Sequence, residues 1–116
     1  DGTSIIIAYC HCISHGYNLT LGPAQQKAAV DSGYWPLYRY DPRKIALGEN
    51  PFKLDSRDPK IPVSEYMKVE NRFKMLQTFN PERAARLDAE EQEFINARWA
   101  KYKYLAERHL TNKAGE

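Results

Sequence analysis

Residues 5–16 read Ile5-Ile6-Ile7-Ala8-Tyr9-Cys10-His11-Cys12-Ile13-Ser14-His15-Gly16, five apolar positions in a row running into sulfur and imidazole. The β-branched isoleucines favour extended backbone, and an unbroken apolar run means that both faces of the strand are buried. Such a strand is typical of the interior of a parallel sheet, with helices over both faces and other strands at both edges. It needs neighbours, because alone it leaves two rows of backbone donors and acceptors unpaired.

Outward from this strand the punctuation is clear. Gly22-Pro23 opens and Gly33 closes a helix predicted over about Pro23 to Ser32, with proline in its first turn and glycine just past its end. Pro36-Leu37-Tyr38-Arg39-Tyr40-Asp41-Pro42 alternates between prolines and reads as a short edge strand, for which Phe52-Lys53-Leu54-Asp55 is the candidate partner. Pro42, Gly48, Pro51, Pro59 and Pro62 mark a loop-rich stretch from about Asp41 to Val63. From Ser64, the expected N-cap, Tyr66, Val69, Phe73 and Leu76 fall at helical spacing. Asn80-Pro81-Glu82 then starts a long helix expected to reach about His109, with a stripe of Leu87, Phe94, Ile95, Trp99, Tyr102 and Ala106. One interior strand, two edge strands and three helices make an incomplete α/β sheet, so the chain is expected to be the tail of a longer one.

Composition excludes more than it selects. With 42% hydrophobic and 28% charged residues the chain is neither disordered nor low in complexity, and its longest apolar run is far short of a bilayer span. Membrane spanning and secretion are not expected. A formal net charge of +2 is too small to point to nucleic acid or a membrane surface. Cys10 and Cys12, one residue apart, are badly placed for a mutual disulfide, which favours reduced thiols and a cytoplasmic setting.

The chemistry-bearing residues cluster at the C-terminal end of the predicted strand, where open α/β sheets place their ligands. The C-x-C-x-x-H pattern of Cys10, Cys12 and His15 has ligands suited to zinc or an iron-sulfur cluster, though a strand-end C-x-C splays its sulfurs and lacks a second pair. Against this stand two packed cysteines acting as small hydrophobes with carbonyl-bonded histidines. Cys10 or Cys12 paired with His15, or Ser14 with His15, would be nucleophile and base without a third group. Asn18-Leu19-Thr20 matches a glycosylation acceptor, a pattern without meaning in a cytosolic chain. Tyr34 to Arg43 interleaves aromatic and basic residues, a single-strand-binding pattern for which packing is the simpler account.

Longer strings carry a resemblance. Ile6-Ile7-Ala8-Tyr9 through Cys12-Ile13, Gly33-Tyr34-Trp35-Pro36-Leu37-Tyr38-Arg39-Tyr40-Asp41-Pro42-Arg43, Asn50-Pro51-Phe52-Lys53-Leu54-Asp55-Ser56 and Glu70-Asn71-Arg72-Phe73 resemble the C-terminal end of pyruvate:ferredoxin (flavodoxin) oxidoreductases. The resemblance implies oxidative decarboxylation of pyruvate to acetyl-CoA and CO2 on thiamine diphosphate and Mg²⁺. Coenzyme A takes part, and electrons pass through [4Fe-4S] clusters to ferredoxin or flavodoxin. It implies that Cys12 is one ligand of a cluster, with the other ligands and the diphosphate-binding segment outside these residues, and that Cys10 packs. Residues 1–33 are then expected to be the last strand and helix of the thiamine-diphosphate-binding α/β domain. Residues 34–116 become a loop-rich, helical C-terminal extension on the rest of the polypeptide or a homodimer partner. The isolated chain would be inactive. The competing reading is a non-catalytic module docking a protein or nucleic acid through the aromatic-basic strand and long helix.

Overall fold

The structure, a computed structural model, describes residues 2–12, 14, 16 and 18–109. Helix α1 spans Gly22–Asp31, with Pro23 in its first turn where a missing N–H costs nothing. It ends because Gly33 adopts φ +75° and the chain reverses so that the Trp35 N–H donates to the Ala29 carbonyl at 2.9 Å. Strand β1, Tyr38–Tyr40, pairs antiparallel with β2, Phe52–Leu54, and Arg39 lies opposite Lys53. The expected pairing is thus formed, with a one-turn helix α2, Arg43–Ala46, in the connection.

Beyond the loop come α3, Val63–Met67, α4, Asn71–Phe79, and α5, Pro81–Glu107. Asn80 caps α5 as its sequence predicts, accepting the Arg83 N–H at 3.0 Å. The 27-residue helix presents Ile95 and Trp99 to the core, and the Trp99 indole N–H donates to Asp58 at 3.0 Å. Ala29, Val63, Tyr66, Met67 and Ile95 form the buried centre, with Tyr9, Tyr34, Trp35 and Phe73 packed around it. A second cluster joins the hairpin to α5 through Tyr38, Phe52 and Tyr102, with ring centroids 5.2 to 5.9 Å apart. The Asn50 side chain locks this end by donating to the carbonyls of Leu105, Ala106 and Arg108, the orphan acceptors at the end of α5.

Three expectations are corrected. The strand at Ile5–Tyr9 is not formed: residues 2–12 carry no regular secondary structure, and Ile5, Ile6 and Ile7 are 71 to 92% exposed. The physical reason is the one the sequence already states, since the only sheet among the described residues is the β1–β2 hairpin and no strand lies alongside to pair with this one. The helix expected from Ser64 begins instead after Pro62 and breaks between α3 and α4, where Glu70 takes extended backbone with ψ 128°. Its carboxylate is drawn inward to partners on other elements, and that overrides the helical stripe. Phe94, placed in the α5 stripe, is 57% exposed and lies under the Arg98 guanidinium instead.

The described fold is mixed helix with a small antiparallel sheet. It extends 62 Å by 30 Å by 21 Å, and its radius of gyration of 18.2 Å exceeds the roughly 13 Å of a compact domain this size. No helix among the described residues is long and apolar enough to cross a membrane.

Candidate functional site

Cys12 stands where an unpaired extended segment meets the helical body. Up to Ala8 that segment is exposed; Tyr9 is the first side chain to reach the core. The Tyr9 hydroxyl lies 2.8 Å from the Tyr66 hydroxyl, and its ring sits 5.6 Å from Trp35. Burial pushes both phenols above their ordinary range, so each stays protonated and able to donate.

Two residues on, His11 lies against the start of α1. A Cβ placed on Gly22 would stand 2.6 Å from His11 Nε2, so the close approach of ring to backbone requires glycine there. Past Cys12, Gly16 adopts φ +65°, and its Cα faces the Asn71 side chain, whose amide nitrogen would be 2.8 Å from a Cβ. The loop bearing Cys12 is therefore held at Tyr9, His11 and Gly16.

Cys12 itself is half-buried and both cysteines are free thiols; Cys10 is exposed, which corrects its expected packing role, since the run that bears it pairs with no strand among the described residues. The backbone N–H and hydroxyl of Ser14 hold the Cys12 thiol below its usual range, and the Arg72 positive charge acts in the same direction. Stabilising the thiolate favours the form that binds metal or attacks an electrophile.

Beneath the loop lies a buried polar chain that sequence reading missed. Gln25, on α1, donates through Nε2 to the Tyr66 carbonyl at 3.0 Å and to Glu70 Oε1 at 2.9 Å. Glu70 is fully buried and its other oxygen accepts from Arg72 Nε at 2.5 Å. The signal was present: Glu70 is four residues from Tyr66 and three from Phe73, so the apolar stripe places a carboxylate on its buried face.

The other sequence candidates separate plainly. His15 and Ile13 lie outside the described residues, and with them the Cys–His15 and Ser14–His15 pairings. Among the described residues no three His, Cys, Asp or Glu side chains gather to hold a metal ion. A tetrathiolate site that included Cys12 would therefore draw its other ligands from outside the described residues. In the aromatic-basic stretch Tyr34 stacks on Tyr66 with centroids 4.5 Å apart, and Arg39 and Arg43 are held by Asp55 and Asp41. Tyr34 therefore packs and the two arginines are paired, while Tyr38 and Tyr40 are 45 and 55% exposed.

No family model matches the chain. It is 57% identical over 111 residues, 96% of its length, to the pyruvate-flavodoxin oxidoreductase of Trichormus variabilis. It is 44% identical over 107 residues to the pyruvate:ferredoxin oxidoreductase of Moorella thermoacetica. Over 116 residues it is 40% identical to the mitochondrial pyruvate dehydrogenase [NADP(+)] of Euglena gracilis. The chain spans 9% of the length of the first two and 6% of the third.

Proposed function

The chain is a homologue of one segment of the pyruvate-flavodoxin oxidoreductases, and from that premise we propose that it is the C-terminal part of an enzyme that oxidatively decarboxylates pyruvate to acetyl-CoA and CO2. The observation that carries this reading is the identity to relatives so named across nearly the whole chain. In this reading residues 1–33 end a thiamine-diphosphate-binding α/β domain, and residues 34–116 are an extension packed on the rest of the polypeptide or a homodimer partner. The exposed Ile5, Ile6 and Ile7 and the elongated shape support it, since both call for surface supplied by another part of the protein.

Cys12 is then one ligand of a [4Fe-4S] cluster. Such a cluster would supply one-electron transfer toward ferredoxin or flavodoxin, and thiamine diphosphate and Mg²⁺ would be held mainly by residues outside this segment. What this chain contributes is a thiolate already favoured by Ser14, on a loop braced at Tyr9, His11 and Gly16. The enzyme works in the cytoplasm, where thiols stay reduced, and the isolated 116 residues are inactive.

The test is Cys12→Ala in the intact polypeptide, prepared without oxygen. Iron content falls by about four atoms per chain and one cluster signal disappears from the paramagnetic resonance spectrum, whereas Cys10→Ala leaves both unchanged. Full iron content and an unaltered spectrum in Cys12→Ala would contradict the ligand assignment.

A further inference from the structure

Among the described residues the run up to Ala8 has no hydrogen-bonded partner strand and an exposed apolar face, so within this chain it does not fix where Cys12 stands. The constraint comes from the other side of the loop. Tyr66 is completely buried, stacked on Tyr34, and its hydroxyl meets that of Tyr9 three residues before the thiol. Gln25 ties the Tyr66 carbonyl to Glu70, and so joins α1, α3 and the start of α4 beneath the loop.

Glu70 is the informative residue. A carboxylate without exposure must be fully paired to be tolerated, and an apolar residue of similar size at that stripe position would commonly serve stability as well or better. Its charge achieves something else. By taking Gln25 and Arg72 as partners with extended backbone, Glu70 interrupts the helix between α3 and α4, immediately before Asn71, which faces Gly16 beyond Cys12. One segment, Tyr66 to Asn71, therefore reaches the loop on both sides of the thiol, while Gly22 admits the His11 ring beside it.

We propose that Tyr66, Glu70 and Gly22 are positioning residues for the Cys12 thiol, setting its place toward a cluster whose other ligands lie outside this chain; this rests on the reading of Cys12 as a cluster ligand. They act as the outer shell that orients a metal-binding side chain, and loss of such a shell typically weakens metal binding about 10- to 100-fold.

The experiment uses the intact, cluster-loaded polypeptide with Tyr66→Phe, Gly22→Ala and Cys12→Ala compared side by side. Tyr66→Phe keeps the buried ring and removes only the hydroxyl that meets Tyr9; Gly22→Ala, at the first residue of α1, sets a methyl against the His11 ring. The expected result is that Cys12→Ala abolishes one cluster signal. In each of the other two, that same signal shifts its g values and midpoint potential, and its iron is lost to a chelator about 10- to 100-fold faster than in the wild type. Circular dichroism of both stays native, and Phe94→Ala, an exposed change, leaves iron release alone. If Cys12→Ala abolishes the signal while Tyr66→Phe and Gly22→Ala keep the wild-type potential and iron-release rate, the positioning role is overturned and the ligand role stands. If Cys12→Ala leaves every signal intact, both fall together.

Discussion

Residues 5–9 and residues 81–107 carry the clearest apolar patterns in the chain, yet only the second stretch forms the element its pattern predicts. A helix satisfies its backbone within itself and asks its surroundings only to cover one stripe, which Ile95 and Trp99 find among α1, α3 and the connecting loops. A strand borrows half of its hydrogen bonds from each neighbour, and among the described residues no strand lies beside Ile5–Tyr9. The helix finds what it needs among the described residues, and the strand does not.

The largest expected effect separates the two regions directly. Ile6→Asp in the isolated chain changes stability by less than about 0.5 kcal/mol, because Ile6 is 92% exposed there. If residues 5–9 join a sheet in the intact polypeptide, the same change there buries an unpaired charge and costs more than about 3 kcal/mol. Denaturant midpoints of the two proteins check this, and equal small effects in both would leave the strand without a sheet to join. Trp99→Ala comes next. It removes an indole only 8% exposed together with its bond to Asp58, and lowers stability of the helical region by about 3 to 5 kcal/mol, read as a fall in thermal midpoint. An unmoved midpoint would mean that α5 is not packed as described.

Much of the helical region was legible because its signals are local. Gly33, Asn80-Pro81 and the prolines around β1 each act on their own few residues, and each marks a boundary close to where one is found. The break at Glu70 was not legible in that way. Tyr66, Val69, Phe73 and Leu76 continue a helical stripe through it, and the partner that draws Glu70 inward, Gln25, lies 45 residues away. Cys12 was singled out through its position at the end of a predicted apolar strand and through long strings that resemble a known family. Its supports were not, since Gly22 and Tyr66 look like a helix start and an ordinary core aromatic until His11 and Tyr9 are seen against them.

Smaller effects sharpen the picture of the helical region. Asn80→Ala removes the cap of α5 and costs about 1 kcal/mol, measurable by chemical denaturation. A loss well above that would mean that Asn80 also supports packing between α4 and α5. The smallest effect is at Asp41, whose carboxylate the Arg43 side chain and N–H hold down to about 2. Because the folded value lies below the unfolded one of about 3.9, its stabilising contribution is present above that pH and fades as pH falls through about 2. Carboxyl resonances followed by NMR report the titration, and Arg43→Ala returns it toward the ordinary aspartate range.

The most direct test of the central claim is hydrogen exchange at the amides of residues 5–9 in the intact native polypeptide, set beside the isolated 116-residue chain. If this run is an interior strand completed by the rest of an oxidoreductase, these amides exchange at near-unprotected rates in the isolated chain and slow by orders of magnitude in the intact protein. Equally fast exchange in both would contradict the account.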